Sequence, residues 1–175
     1  MTEPDFAAAA LRAALSIDRT GAPGRRGAAL LLLGYACDAT VSELVALDVA
    51  DLIPASSGLA VKIRRQDGAR DDLMSLSPNR ADPTNCVVAA VQELLCSLRA
   101  AGRTAGPLFV RTDGYAWVNK SPAQGKRPAY DPTGRLTAGA AANIAIRIGR
   151  ASGIEFTCDW TRDRLRLCFS TATAS

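Results

Sequence analysis

The sequence contains no histidine, and none of its five cysteines belongs to a Cys-x-x-Cys pair. Structural zinc sites usually combine such cysteine pairs with histidine, so we expect neither a metal nor a cofactor. An odd number of cysteines with apolar neighbours predicts reduced, buried thiols rather than disulfides. The five are Cys37, Cys86, Cys96, Cys158 and Cys168.

Long hydrophobic runs are also missing. No apolar stretch approaches the roughly 18 residues that a membrane span requires, and the N-terminus carries acidic residues where a secretory signal would carry positive charge. We therefore expect a cytoplasmic protein that has no membrane partner. We also expect no small-molecule substrate. Its 175 residues, of which 48% are apolar and 22% charged, are sufficient for one globular domain with a sizeable core.

Positive charge is concentrated in the second half of the chain. Residues 1–97 carry nine Lys or Arg against twelve Asp or Glu, whereas residues 98–175 carry twelve against five, and the whole chain has a net charge of +4. Ten of these twelve cations are arginines, a residue that suits bidentate contacts with phosphate. This charge indicates DNA affinity, with a solvated arginine-rich surface as the alternative.

The segment 28–52, AALLLLGYACDATVSELVALDVADL, predicts two buried helices separated by a polar elbow at residues 38–42. Within the elbow, Thr40 followed three residues later by Glu43 fits a capping box. In such a box each side chain accepts a hydrogen bond from a backbone N–H of the other residue. Capping is the structural interpretation of these two residues.

The remaining pattern predicts further helices and one hairpin. A strand over residues 58–65, a turn signal at Asp67-Gly68 and a returning strand over 73–76 predict a β-hairpin. The other predicted elements are a helix at 5–17, a helix that opens at Pro83 after a cap by Asp82 and ends at Gly102, a long loop at 112–135, a helix from Thr137 to Ser152, and a partly buried helix over 159–174.

Two motifs resemble those of the tyrosine recombinases, the phage-integrase family. The stretch GYACDATVSELVALDVADL at 34–52 is similar to the Gly-Leu-Arg-x-Ser-Glu-Leu sequence that carries an active-site arginine and an acidic residue in that family. Residues 163–166, Asp-Arg-Leu-Arg, with the apolar residues that follow them, resemble the second motif, His-x-x-Arg and a short helix. Both motifs occur in the family's order, roughly 120 residues apart.

The resemblance implies a mostly helical α+β fold like that of a tyrosine recombinase catalytic domain, with a small antiparallel β-hairpin or sheet. It implies one integrase-like domain over residues 1–175, in which 1–24 form an N-terminal helix and linker. A separate N-terminal DNA-clamping domain is not expected. The implied function is related to site-specific DNA recombination and DNA integration.

Several positions that the family uses for catalysis are substituted in this chain. The first arginine falls at Thr40, which carries no positive charge, and the leading histidine of the second motif falls at Asp163, an acid. Glu43 and Arg166 match the family's acidic residue and second arginine, as vestiges of the site. We expect Thr40 and Arg166 to lie side by side in a pocket that once held a DNA phosphodiester.

The hairpin lysine and the nucleophilic tyrosine also depart from the family's pattern. The lysine falls near Gln66 or Asp67, although Lys62 and Arg70 lie close enough for a register shift to supply a cation. The family's tyrosine lies some tens of residues beyond the second motif, whereas Ser175 ends this chain nine residues after Arg166.

All three tyrosines precede the second motif. We expect Tyr35 in the core, and Tyr115 and Tyr130 on the surface or facing DNA. Because the loss of one group that stabilises developing charge typically costs on the order of a hundredfold to a thousandfold in rate, we predict a pseudoenzyme that does not cleave or rejoin DNA.

Three functional hypotheses remain. The chain is an integrase remnant with nonspecific affinity for duplex DNA, a repurposed DNA-binding protein, or an accessory module that binds an intact recombinase or a second copy of itself. For the first two, phosphate contacts are predicted at exposed cations of the helix 137–152, the hairpin and the second motif. The predicted DNA-binding residues are Arg147, Arg150, Arg164, Lys62 and Arg64.

Overall fold

The computed structural model describes residues 11–65, 71–113, 116–117, 133–153, 155–159 and 164–170, and describes side chains within 11–65, 71–112 and 133–153. Over these ranges the chain forms five α-helices and small antiparallel sheets, so the predicted α+β class is confirmed. The helices are α1 (residues 11–15), α2 (Ala22–Ala36), α3 (Val41–Ala46), α4 (Val87–Ala100) and α5 (Ala138–Ala151). The strands are β1 (Leu52–Ala55), β2 (Gly58–Ile63), β3 (Asp72–Leu76), β4 (Thr112–Asp113), β5 (Ala116–Trp117), β6 (Glu155–Asp159) and β7 (Arg164–Ser170).

Helix α2 lies at the centre of the packing and contacts α3, α4 and α5. Its residues 26–33 are all buried, as expected for a helix that is surrounded on every side. Leu30 and Leu33 are fully buried and join the main core together with Phe109 in the segment before β4. None of the described helices is long and apolar enough to cross a membrane.

The elbow between α2 and α3 has the geometry of two helix caps placed in succession. At the end of α2, Asp38 N–H donates to the Tyr35 carbonyl and Ala39 N–H to the Gly34 carbonyl, which is a Schellman motif. Asp38 is therefore left-handed, with φ at +45°, in a position that usually takes glycine. Thr40, two residues after Asp38, is the N-cap of α3.

The predicted capping box at the start of α3 is confirmed. Glu43 N–H donates to Thr40 Oγ1 over 3.1 Å, and Thr40 N–H donates to Glu43 Oε2 over 2.8 Å. Helix α3 has six residues and ends at Ala46, and a short 3-10 helix at Val49–Asp51 follows. The second predicted helix is therefore shorter than its apolar pattern indicates.

The predicted hairpin is confirmed by β2 and β3, which pair antiparallel with Leu59 opposite Leu76. A third strand, β1, pairs with the other edge of β2 and was not predicted from the sequence. Pro54 lies in β1, where a missing N–H is tolerated because β1 is an edge strand. The predicted turn at Asp67-Gly68 lies outside the described residues.

Helices α4 and α5 begin and end close to the predicted positions. Asp82 caps a single 3-10 turn at Pro83–Asn85, and Cys86 then accepts from the Ala89 N–H at the start of α4, so α4 starts later than predicted. Thr137 caps α5 through the Ala140 N–H. Both helices are followed by glycines with positive φ, Gly102 at +76° and Gly153 at +69°.

The predicted helix over residues 159–174 is wrong in the described part of that segment. Strands β6 and β7 form an antiparallel hairpin there, with Phe156 opposite Phe169. The sequence of β7, RLRLCFS, alternates apolar with other residues at every second position, which is a strand period rather than a helical one. The family resemblance favoured a helix, and the local alternation contradicts it.

Three further expectations need correction. Tyr35, predicted in the core, is 45% exposed, because it follows the buried part of α2. Cys37 and Cys86 are free and buried as predicted, but Cys96 is exposed. The start of the predicted loop 112–135 forms the short β4 and β5 pair, and Tyr115 and Tyr130 lie outside the described residues.

Candidate anion-binding site

A cleft of about 710 Å³ lies between the first turns of α2 and the exposed side of α5. We call it the arginine cleft, because four arginines contribute to its walls. Among the described residues that line it, none is acidic. They are Pro23, Arg26, Arg111, Thr112, Leu136, Ala140, Asn143, Ile144, Ile146, Arg147 and Arg150.

Close packing of α2 against α5 fixes the position of two of these arginines. At Gly27 of α2, an added Cβ atom would lie 2.7 Å from Cδ1 of Ile148 on α5, so glycine allows the two helices to approach. Arg26 and Arg147 are the sequence neighbours of these two contact residues. The helix contact therefore places both guanidinium groups at the same cleft.

Arg26 is a buried cation, with only 5% of the residue exposed. Its Nη1 donates to the Val110 carbonyl over 2.9 Å, and its Nε is buried without a hydrogen-bond partner among the described residues. No described carboxylate forms an ion pair with it. Burial, and then the positive charge of Arg147, lower the pKa of Arg26 from its ordinary value to about 10.

The other cleft arginines are more accessible. Arg147 and Arg150 are exposed on α5, where the sequence predicted them, and Arg111 is half-buried beside β4. Pro23 belongs to the first turn of α2, so the positive end of that helix dipole lies at the same wall. The cleft therefore combines guanidinium donors with a helix N-terminus and suits an anion.

Two of the predicted DNA-binding residues, Lys62 in β2 and Arg64 directly after it, are paired with carboxylates. Lys62 pairs with Asp71 at 2.9 Å, and Arg64 pairs with the buried Asp51 at 2.6 Å while also donating to the Ala46 carbonyl. An ion pair between exposed groups such as Lys62 and Asp71 contributes little to stability. Lys62 and Arg64 are not brought together with Arg147 and Arg150 in the cleft.

Glu43, predicted as a vestigial acidic residue of the active site, is 5% exposed and belongs to an ion-pair network at the elbow. Arg65 donates to Glu43 at 3.2 Å and to Asp72 at 2.8 Å, and also to the backbone carbonyls of Cys37 and Asp38. We call these groups the elbow network. Thr40 touches the network through its capping bond to Glu43.

Arg135, in the segment before α5, links that segment to the end of α3 and the residues that follow it. It donates to Asp48 at 2.5 Å and to the carbonyls of Val45 and Leu47. Sequence reasoning counted Arg135 among the basic residues that suit phosphate contacts, and it predicted no ion pair for Arg65 or Arg135. Their partners lie 87 to 90 residues away for Arg135 and up to 28 away for Arg65, so no local pattern reveals them.

The second motif lies in the C-terminal hairpin. The backbones of Arg164 and Arg166 belong to β7, and Asp163 lies outside the described residues. The side chains of Arg164 and Arg166 are also outside the described part, so their roles and the expected proximity of Arg166 to Thr40 stay predictions. Strand β6 contacts α5, the helix that carries Arg147 and Arg150.

Within the part of the chain for which side chains are described, no cluster of three or more Cys, Asp or Glu could hold a metal ion. No protein-family model matches the sequence, and no curated protein or solved structure shows significant similarity to it. The relationship to tyrosine recombinases therefore remains a hypothesis that rests on the two sequence motifs.

Proposed function

We propose that this chain is an integrase-like domain that binds duplex DNA without cleaving it and contacts backbone phosphates at the arginine cleft. The observation that carries the proposal is the grouping of four arginines with no acidic residue among the described lining residues. One arginine can donate two parallel hydrogen bonds to a phosphate group, and such contacts give affinity without recognising the base sequence. The expected binding is therefore nonspecific.

Exposed arginines on one side of α5 provide the initial contact with a duplex. Arg147 and Arg150 lie three residues apart, so they share one side of the helix, and both project from the exposed part of the cleft. Lys62 and Arg64 are paired with acids, and we expect a smaller contribution from them. Association driven by such contacts releases counterions and weakens steeply with added salt.

The recombinase relationship is supported by the conformation of the elbow. When Thr40 and Glu43 are matched to the arginine and the acidic residue of the first motif, the motif's glycine falls at Asp38. Asp38 has a positive φ, a conformation in which glycine is preferred. The backbone at this position therefore has the shape that the glycine of the motif would favour.

A salt series of fluorescence anisotropy with labelled duplex DNA tests the proposal. We expect the logarithm of affinity to fall linearly with the logarithm of salt concentration, and Arg150→Gln to lower that slope by about 0.9, the value for one phosphate contact. Arg99→Gln is the matched control, since Arg99 is also an exposed arginine in the last turn of a helix, α4, but does not line the cleft.

The outcome separates the functional classes. Equal effects of Arg150→Gln and Arg99→Gln would mean that the net charge of the protein, rather than the cleft, binds DNA. Weak binding that does not depend on salt would reject the proposal and favour the accessory role, in which the chain binds an intact recombinase or itself.

A further inference from the structure

Arg26 differs from the other arginines of the cleft because it is almost completely buried. A buried guanidinium is unfavourable unless a carboxylate or several acceptors compensate its charge. Among the described residues, Arg26 donates to one acceptor, the Val110 carbonyl, and forms no ion pair. The described part of the chain therefore compensates the charge of Arg26 only in part. A bound anion would supply the rest of the compensation.

We propose that the arginine cleft selects a phosphomonoester dianion, the group found at the end of a phosphorylated nucleic-acid strand, and that Arg26 supplies the buried charge of this site. The inference rests on the proposed function, because duplex binding at Arg147 and Arg150 would deliver the strand end to the cleft.

The size of the cleft favours a protruding group over the side of a double helix. Its volume of about 710 Å³ lies within the roughly 300–1,000 Å³ that is typical of sites for small ligands. An internal phosphodiester is part of a convex backbone and reaches only the mouth of such a concavity. A terminal phosphate projects from the strand and can approach the buried wall that Arg26 forms.

Charge favours the same ligand. A phosphomonoester carries about −1.5 to −2 charges at pH 7, whereas an internal diester carries about −1. Each guanidinium of the cleft therefore attracts the terminal group more strongly, and the low dielectric around Arg26 enlarges the difference. The apolar residues Leu136, Ile144 and Ile146, which also line the cleft, reduce the water that would screen it.

Arg65 shows what an arginine with a structural role looks like in this chain. Its side chain is 17% exposed, and two carboxylates and two carbonyls accept from it. Arg26 is more deeply buried and has fewer partners among the described residues. This contrast is the reason for assigning Arg26 to ligand binding rather than to the support of the fold.

The test compares two duplexes that differ only in a 5′-phosphate or a 5′-hydroxyl, with the full chain and fluorescence anisotropy. We expect the phosphorylated duplex to bind about tenfold more tightly, the size of one hydrogen bond to a charged group. Arg26→Met should abolish this preference, and Arg99→Gln should retain it. Inorganic phosphate and a nucleoside monophosphate serve as competitors.

Each result bears on the inference. Salt-dependent binding with equal affinity for the two ends overturns it and leaves the proposed function standing. If neither duplex binds, but inorganic phosphate raises the melting temperature of the wild type and not of Arg26→Met, the dianion site stands and the proposed function fails. A nucleoside monophosphate that binds as tightly as the duplex end overturns the strand end as the source of the phosphate.

If Arg26→Met fails to fold, Arg147→Gln provides the same measurement, because Arg147 is exposed and its replacement leaves the core unchanged. The preference for the 5′-phosphate should then fall severalfold. An unchanged preference in a folded Arg147→Gln variant would count against a site in this cleft.

Discussion

The elbow network and the arginine cleft hold the same kind of side chain in opposite ways. In the elbow network, Arg65 is surrounded by the carboxylates of Glu43 and Asp72 and by two backbone carbonyls. In the arginine cleft, Arg26 is more deeply buried, and its described hydrogen bond goes to a neutral carbonyl. The described partners of Arg65 compensate its positive charge, whereas the described partner of Arg26 is neutral.

The difference teaches that the number of arginines is a poor guide to where this chain binds phosphate. Arg64, Arg65 and Arg135 all pair with acids and fasten the elbow and the sheet to the helices. A cation that already has an acidic partner gains less from a phosphate than one without. Among the described residues, an acidic partner in the folded chain, rather than position in a basic region, distinguishes these three arginines from Arg26.

Removal of the buried acid of the elbow network should have the largest effect. Glu43→Ala leaves Arg65 with one carboxylate fewer and deletes half of the capping box, so we expect a loss of about 3–5 kcal/mol in the free energy of unfolding, measured with urea. Glu93→Ala is the control, since Glu93 is 43% exposed and lies 3.8 Å from Arg19. A loss below about 1 kcal/mol is expected for it. Equal losses of unfolding free energy in the two variants would show that Glu43 contributes no more to stability than an exposed acid does.

The next effect appears at alkaline pH and concerns Cys37, whose carbonyl belongs to the elbow network. Burial raises the pKa of the Cys37 thiol from 9.0 to about 11, against an opposing effect of the Arg65 charge. Above pH 9 the unfolded chain loses this proton first and therefore binds fewer protons than the folded chain. Stability should fall between pH 9 and 11, by roughly 3 kcal/mol at most from this group.

Urea unfolding of the wild type and of Cys37→Ala across this pH range measures the effect. As the pH rises, Cys37→Ala should become more stable relative to the wild type. A difference that stays constant from pH 8 to 11 would mean that the thiol is not shielded in the folded protein.

The smallest effect is expected in the arginine cleft and has the opposite sign to the effect at Glu43. Neutralising Arg26 as Arg26→Met removes a cation whose pKa is lowered to about 10, which is worth roughly 3 kcal/mol, but leaves the Val110 carbonyl without its donor. The net gain should be about 1 kcal/mol, seen as a raised melting temperature. Destabilisation by more than about 2 kcal/mol would assign Arg26 a structural role like that of Arg65.

Local sequence patterns predicted much of the fold. The capping box at Thr40 and Glu43, the glycines after α4 and α5, and the hairpin of β2 and β3 depend on residues that lie close together in the chain. Each signal has a local physical cause, such as a side chain that accepts from a nearby N–H or a glycine that permits positive φ. Such local signals can be recognised in the sequence without knowledge of the tertiary contacts.

In the C-terminal hairpin, the family pattern and the local pattern predict different structures. The alternation in β7 predicts a strand, whereas the resemblance to a motif that ends in a helix predicts a helix. β1 was missed for another reason, since its four residues pair with β2 and carry little signal of their own. A strand of that length is defined by its partner.

For the site, the sequence predicted the exposed position of Arg147 and Arg150 from the helical spacing of α5. Arg26 was missed, although it lies four residues before Leu30 and seven before Leu33, on the side of α2 that faces the core. A charged residue on an apolar helix side was the available signal. Arg111 gave no comparable signal, because its surroundings come from other parts of the chain.

The amino-acid sequence by itself determined the capping box, the glycines that follow α4 and α5, and the excess of arginine in the second half, because each depends on composition or on neighbours within a few residues. Only the tertiary structure decided that Arg64, Arg65 and Arg135 pair with acids, whereas Arg26 has no such pair among the described residues. Contacts such as Arg135 with Asp48, or Gly27 with Ile148, join residues about 90 or more positions apart, and packing of the helices brings them together.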